Sequence, residues 1–125
     1  MKQVKVSDDF YQKCKEFNTD KEIMYNEAGR PCVLILKLDY KGKQQDFVVP
    51  MRSNISPTTP ADQFFKLPPN KNTRKNHFHG IHYIKLFPIT SQYIQPYHLY
   101  TSYDFTVKDI IDRAEPEIIK IAKNI

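Results

Sequence analysis

An α+β fold is predicted by the order of periodic segments along this chain. A β-rich hairpin occupies the first half, and an apolar stripe at helical spacing occupies the C-terminus. The length of 125 residues and the 40% hydrophobic content suit one domain, residues 1–125, with one core. We find no run of apolar residues long enough for a transmembrane helix. With no N-terminal signal sequence and only two cysteines, which we interpret as reduced thiols, the expected location is cytoplasmic.

Three strands are predicted before residue 50. Polar and apolar residues alternate from Lys2 to Val6. The run Cys32–Tyr40 is apolar on both faces in its first half, which is typical of a central, buried strand. Lys41-Gly42-Lys43 predicts a hairpin turn, and Gln45–Val49 is the predicted return strand, ended by Pro50. Residues 51–54 are then expected to form a loop at the mouth of this hairpin.

Helices are predicted at both ends of the chain. Ser7 is a candidate N-cap for a helix of about eleven residues, and the polar residues 18–29 follow as a loop. The C-terminal stripe keeps one phase on both sides of Pro116. We therefore expect one continuous helix packed on the sheet, with a proline kink near Asp112.

Positive charge is concentrated in the middle of the chain. The net charge is +5, yet residues 63–103 contain no Asp or Glu, and they hold five Lys or Arg and all four His. Such a field attracts polyanions, and the five tyrosines of this stretch could stack on unpaired bases. The alternative is a solubilising segment whose tyrosines lie in the core.

The organisation of this basic stretch is less regular. Residues 55–76 are rich in Pro, Thr and Asn, and we interpret them as a long functional loop. Gly80 is expected to open a strand over residues 81–87, while residues 90–103 give no clear pattern.

Three histidines, His77, His79 and His82, offer proton transfer or metal binding. Their spacing matches no standard zinc pattern, and the stretch has no carboxylates to hold Mg²⁺, so neither a metal nor a cofactor is expected. Histidine exchanges protons near neutral pH, which favours acid or base catalysis. A purely structural role for each of them is the alternative.

Arg30, Arg52 and Ser53 form a candidate site for cutting RNA without metal. In such a reaction the 2′-hydroxyl attacks the adjacent phosphate, and cations or hydroxyls stabilise the phosphorane. Arginine suits this role because its planar fork donates twice to phosphate oxygens. If the strands around the hairpin pair, these residues converge at one sheet edge. Otherwise the arginines are surface charges and the serine is a turn residue.

Three stretches together resemble a known family. They are Gly29-Arg30-Pro31, Phe47-Val48-Val49-Pro50-Met51-Arg52-Ser53-Asn54, and His79-Gly80-Ile81-His82-Tyr83-Ile84-Lys85-Leu86-Phe87-Pro88-Ile89. In this order they are similar to the toxins of type III toxin–antitoxin systems, the ToxN/AbiQ group, with the CptN/TenpN-like branch the most similar. The resemblance covers roughly residues 1–89 and the C-terminal helical tail.

The resemblance implies a small, strongly bent antiparallel β-barrel of the MazF-like kind with flanking helices. It also implies a metal-independent endoribonuclease that leaves a 2′,3′-cyclic phosphate and is inhibited by a pseudoknot RNA antitoxin in a closed toxin–RNA complex. Ser53 falls at the place of the family's key serine, and Arg30 matches its basic residue at the head of the central strand. Arg52 precedes that serine, at a place that varies in the family. This chain thus has arginine where some members have threonine and where some have lysine.

Our interpretation is therefore a sequence-selective endoribonuclease that acts on messenger RNA and is bound by its antitoxin RNA. The predicted catalytic residues are Arg30, Arg52, Ser53 and His79. The predicted RNA-binding residues are Lys43, Lys66, Lys71, Arg74, Lys75, His77 and His82. The alternatives are a non-catalytic RNA-binding module and a domain whose basic loop binds an acidic protein.

Overall fold

The computed structural model describes residues 1–16 and 30–124, so the predicted loop at residues 18–29 lies outside the described residues. The described elements are, in chain order, β1 (Gln3–Val6), α1 (Asp8–Glu16), β2 (Cys32–Tyr40), β3 (Lys43–Ile55), β4 (Phe64–Leu67), β5 (Phe78–His82), β6 (Phe87–Ile89), β7 (Ile94–Pro96), α2 (Ser102–Arg113) and α3 (Glu115–Lys123). Every strand pair among them is antiparallel, and the predicted α+β class is confirmed.

The central hairpin forms as predicted. Lys41 and Gly42 have φ values of 50° and 77°, the positive pair that a tight two-residue turn requires. Tyr40 pairs with Lys43 across this turn, and β2 lies between β3 and β1 in the sheet. Cys32 and Val33 project to opposite faces of β2, and both are 0% exposed in different core clusters, so the start of this strand is covered on both faces.

Strand β3 continues through Pro50, so the predictions of a strand end there and of a loop at residues 51–54 were wrong. Its first part pairs with β6 up to Val48, and its second part pairs with β5 from Met51 onward. Pro50 falls between these two paired segments, and on the other side of β3 it pairs with Cys32 of β2. The missing N–H of the proline therefore breaks no bond of either ladder, which is why a central strand tolerates it.

The sheet is open within the described residues. Its order is β4-β5-β3-β2-β1-β7, with β6 attached to β3, so β4 and β7 are the two edges. The closed MazF-like barrel is therefore not confirmed. Since β3 passes from one neighbour to another along its length, the strands divide into two wings that share β3. We call the strands β3, β5 and β4, paired through residues 51–82, the short wing.

Two expectations for the basic stretch are corrected. The predicted loop at residues 55–76 contains the edge strand β4, because Phe64–Leu67 pairs along β5. The predicted strand at residues 81–87 is instead β5 followed by a 3-10 turn, Tyr83–Lys85, and then β6. This turn lets the chain leave the short wing and return to β3 at the other wing.

The C-terminus is two helices and not one kinked helix. Thr101 caps α2 in a capping box with Asp104, and Ala114, at φ −92° and ψ 4°, separates α2 from α3. Pro116 lies in the first turn of α3, where its backbone nitrogen needs no hydrogen-bond partner. Starting a new helix avoids the loss that a proline causes inside a continuous one.

The apolar stripe predicted for the C-terminus nevertheless stays in phase. Val107 and Ile111 of α2 and Ile118 and Ala122 of α3 are all buried in the main core cluster. They pack there with residues of the sheet, including the fully buried Ile81. No helix in the described part of the chain has the length and apolar character needed to cross a membrane.

Replacing Ile118 with alanine tests this packing. Ile118 is 0% exposed, so the substitution leaves a cavity and lowers the free energy of unfolding by about 2–5 kcal/mol. Urea denaturation measures the change. The control is Lys120→Ala in the same helix, which is exposed and changes stability by about 0.5 kcal/mol or less. Equal effects of the two substitutions would contradict this account of α3.

Candidate functional site

The head of β2 lies beside the second half of β3. The register pairs Cys32 with Pro50, and the N–H of Met51 donates to Pro31 O at 3.2 Å. Continued by two residues, this antiparallel register would place Arg30 opposite Arg52. The structure therefore brings Pro31 and Met51, the neighbours of Arg30 and Arg52 in the chain, together at one end of the sheet.

A further cation, Lys66, lies in the same cross-strand row as Arg52. Arg52 pairs with Gly80 of β5, and Gly80 pairs in turn with Lys66 of the edge strand β4. Directly paired residues project to the same face, so Gly80 leaves a gap in side chains between the two cations. A Cβ at Gly80 would lie 2.4 Å from the backbone oxygen of Phe65, so no larger residue fits this position unless the strands move.

The hydroxyl of Ser53 is oriented by a neighbouring amide. Asn70 Nδ2 donates to Ser53 Oγ at 2.9 Å. The orientation of that amide is fixed, because Asn70 Oδ1 accepts from the N–H of Asn72 at 2.9 Å and from Thr73 Oγ1 at 3.0 Å. Since Ser53 Oγ accepts one hydrogen bond, its own hydrogen remains available to donate to an incoming acceptor.

The segment Pro68–His77, which we call the basic loop, is attached to the end of β3. Asn54 Nδ2 donates to Asn72 O at 3.0 Å, and the N–H of Arg74 donates to Asn54 Oδ1 at 2.7 Å. Lys71, Arg74 and Lys75 are exposed on this loop. The loop thereby holds three of the predicted RNA-binding cations next to Ser53.

His79 is buried and not open to solvent. It is 6% exposed, pairs with the buried Leu67, and faces the core side of the short wing, opposite to the side of Gly80. Its Nδ1 lies 2.9 Å from Pro68 O and 2.8 Å from the hydroxyl of Tyr103, which itself donates to Pro68 O at 2.5 Å. A carbonyl oxygen only accepts, so His79 Nδ1 carries a hydrogen. Burial lowers the pKa of His79 from its ordinary 6.5, although the bond to Pro68 opposes this shift.

The other predicted residues fall in different places. His82 lies on the same face as Gly80 at the end of β5, and His77 ends the basic loop, with Nδ1 3.0 Å from Lys75 O. Both are half-buried. Lys43 is at the hairpin turn, at the opposite end of β3 from Arg52, so the structure does not bring it to this site.

The thiol of Cys32, near Arg52, is not a reactive group. Burial raises the pKa of Cys32 to about 12, although the charge of Arg52 opposes this shift. Cys32 is therefore a neutral, buried thiol, and Cys14 is also buried, as the sequence predicts. Within residues 1–16 and 30–124, no three His, Cys, Asp or Glu side chains gather as a set of metal ligands.

Two residues of the site were missed by reasoning from the sequence. Asn70 belongs to a run with the composition of a turn, in which an Asn side chain commonly accepts from the N–H two residues later, and that signal could have identified it. Tyr103 was noted only as one of several tyrosines. Its contact with His79 joins positions far apart in sequence, and no local pattern indicates it.

The comparisons with known proteins bear on the fold. The chain is similar to a solved structure described as "A processed non-coding RNA regulates a bacterial antiviral system", with a TM-score of 0.66 and 16% sequence identity. The match covers 99% of this chain and 83% of that one. No protein-family model and no curated protein sequence matches. At this identity the likeness shows a shared fold.

The buried state of His79 predicts a pH dependence of stability. Because its pKa is lowered in the folded protein, the unfolded chain binds more protons below about pH 6.5. This contribution to stability is present above that pH and is lost as the pH falls toward the folded-state pKa. In urea denaturation at about pH 7.5 and about pH 5.5, His79→Gln should reduce the difference between the two unfolding free energies. The exposed His98 provides the control, and His98→Gln should leave the difference as in the parent protein.

Proposed function

We propose that this protein is an endoribonuclease toxin that cuts RNA without a metal and is held inactive by an RNA antitoxin. The observation that carries the proposal is the oriented hydroxyl of Ser53, which sits one residue after Arg52 and is held by Asn70 of the basic loop. The fold shared with a protein from an RNA-regulated bacterial antiviral system supports the same proposal.

The reaction needs only the RNA and side chains. The 2′-oxygen attacks the adjacent phosphorus, the bond to the 5′-oxygen breaks, and a 2′,3′-cyclic phosphate and a 5′-hydroxyl result. Arg52 and Arg30 neutralise the charge that grows on the phosphorane oxygens. Ser53 donates its hydrogen to one of those oxygens. Its direction is set in advance by the amide of Asn70, so little reorganisation is needed during the reaction.

We assign proton transfer to the histidines near Arg52 and Ser53. One group accepts the proton of the 2′-hydroxyl, and another donates a proton to the leaving 5′-oxygen. His79 was the choice from the sequence, but its burial and its contacts with Pro68 and Tyr103 favour a positioning role. His82 projects to the same face of β5 as Gly80, the residue that pairs with Arg52. We therefore propose His82, together with His77, as the acid or base.

The basic loop supplies the proposed contacts to the RNA backbone. Lys71, Arg74 and Lys75 are exposed on it, and Lys66 lies on the adjacent edge strand. The partners we propose are messenger RNA as substrate and a pseudoknot RNA antitoxin as inhibitor, assembled with the toxin in a closed complex in the cytoplasm. A non-catalytic RNA-binding module is the second candidate, favoured by the burial of His79.

Cleavage in EDTA decides between these two functions. The protein is stripped of bound RNA and incubated with total RNA, and the ends are mapped for cyclic phosphates. We expect cutting at discrete sites, reduced roughly 10²-fold or more in Arg52→Ala and Ser53→Ala while RNA binding persists. Arg113→Ala and Ser91→Ala, at exposed positions on α2 and before β7, should cut like the parent protein. Salt-sensitive binding without cleavage, with or without Mg²⁺, would leave the binding module as the function.

Asn70→Asp tests the orientation of the hydroxyl. The new carboxylate can only accept, so it draws the hydrogen of Ser53 away from the phosphate. We expect the single-turnover cleavage rate to fall by about tenfold or more, equivalent to losing one hydrogen bond in the transition state. Asn76→Asp adds the same charge to the same exposed loop without touching Ser53, so it separates this effect from simple repulsion of RNA. Equal losses in both variants would assign the effect to charge alone.

A further inference from the structure

The short wing has one face that does not point into the core. Strand alternation turns Met51, Phe65 and Ile81 inward, and all three belong to or pack against the main core cluster. The residues between them face the other way. We call this side the outer face, and it carries Arg52, Phe64, Lys66, Phe78, Gly80 and His82.

Two phenylalanines stack on each other on the outer face. The ring centroids of Phe64 and Phe78 are 5.4 Å apart, and the rings are inclined by 25°. The Nζ atom of Lys66 lies 5.1 Å from the centroid of Phe78. Both rings are only half-buried, so this pair presents aromatic surface next to an ammonium group. The position of a cation beside a ring is itself favourable.

Gly80 makes room for this arrangement. Phe64 Cδ2 lies 3.3 Å from the place where a Cβ of Gly80 would be, so the ring extends over the backbone of the glycine. With any other residue at this position, the side chain would occupy the space of the ring. The gap between Arg52 and Lys66 in the cross-strand row is therefore covered in part by the ring of Phe64, and Gly80 is buried beneath it.

The chemistry of the outer face suits one kind of occupant. Aromatic rings bordered by two cations combine a surface for stacking with groups that bind phosphate, the combination found where proteins hold unpaired nucleotides. No acidic residue occurs between positions 63 and 103, so nothing in this stretch repels a polyanion. An apolar protein partner would instead bury the exposed ammonium group of Lys66, which is costly.

We propose that the Phe64–Phe78 pair stacks one unpaired base of the RNA, with Arg52 and Lys66 on the flanking phosphates. This inference rests on the proposed function and adds to it a site that selects single-stranded RNA beside the cleavage site. A base held there fixes which phosphate reaches Ser53, because Arg52 belongs to both the outer face and the candidate site. Base-paired RNA cannot use the stacking surface.

Conservative variants test the stacking. Phe64→Leu and Phe78→Leu keep apolar volume but remove the ring, and Phe105→Leu, at an exposed position on α2, is the matched control. The probe is a single-stranded 2′-O-methyl oligonucleotide of mixed sequence, which binds but lacks the 2′-hydroxyl needed for cleavage. We expect about 5- to 150-fold weaker binding for the first two variants, corresponding to ~1–3 kcal/mol for one stacked base. Phe105→Leu should bind like the parent protein.

A fluorescent variant observes the contact directly. The chain contains no tryptophan, so Phe78→Trp introduces a single reporter that can still stack. Its emission should be quenched by the single-stranded oligonucleotide and much less by the same sequence as a duplex. Thermal melting of each variant confirms that it is folded, and this reporter keeps the test decisive if a leucine variant is unstable.

The outcomes separate the two proposals. Unchanged oligonucleotide affinity in folded leucine variants, with no quenching of the reporter, overturns the stacking site. The proposed function survives that result if the parent protein still cuts RNA in EDTA. Conversely, quenching together with an absence of cleavage supports the stacking site and removes the nuclease. Binding of polyglutamate that depends on Phe78, without binding of the oligonucleotide, would assign the outer face to an acidic protein instead.

Discussion

The pairing of β3 with two successive neighbours is the constraint on which the rest of the structure depends. Along one edge β3 stays paired with β2, with one register shift between Ile35 and Leu38, while along the other it passes from β6 to β5. Pro50 stands at the point of change, where a missing N–H is tolerated. Because β3 belongs to both wings, Arg52 in its second part lies between β2 and β5, and Ser53 follows it directly.

The short wing in turn depends on Gly80. The backbone of β4 approaches β5 so closely that a side chain at this position would overlap Phe65. The same absence of a side chain leaves room on the outer face for the ring of Phe64, between Arg52 and Lys66. One glycine thus serves both the packing of an edge strand and the shape of the surface that we propose for RNA.

No residue of the basic loop belongs to either core cluster, yet both of its ends are held by hydrogen bonds. At its start, Pro68 O accepts from Tyr103 of α2 and lies beside buried His79. Toward its end, Asn54 of β3 binds Arg74 and Asn72 through backbone groups. These hydrogen bonds hold the loop in place without burying its residues in the core. The cations of the loop therefore stay exposed and can bind a polyanion.

The sequence by itself determined the elements whose signals are local. The hairpin at Lys41–Gly42, the buried strand β2 and the apolar stripe of the C-terminus follow from turn chemistry and periodicity, which act over a few residues. The excess of positive charge at residues 63–103 is likewise a property of the sequence. The contact of Pro31 with Met51, next to Arg30 and Arg52, also followed from the hairpin, since strand pairing alone returns both ends to one edge.

Only the tertiary structure decided the features that need distant partners. The sequence predicted a strand end at Pro50. The missing N–H of the proline is tolerated because β3 changes its partner there from β6 to β5, and both of these strands lie far along the chain. The sequence could not distinguish one kinked helix from two helices at Pro116, because both preserve the phase of the apolar stripe. The structure shows two helices. The burial of His79 and the contact of Asn70 with Ser53 also arise from packing between remote segments. Local propensity carries no information about such contacts, because their energy depends on which segments meet.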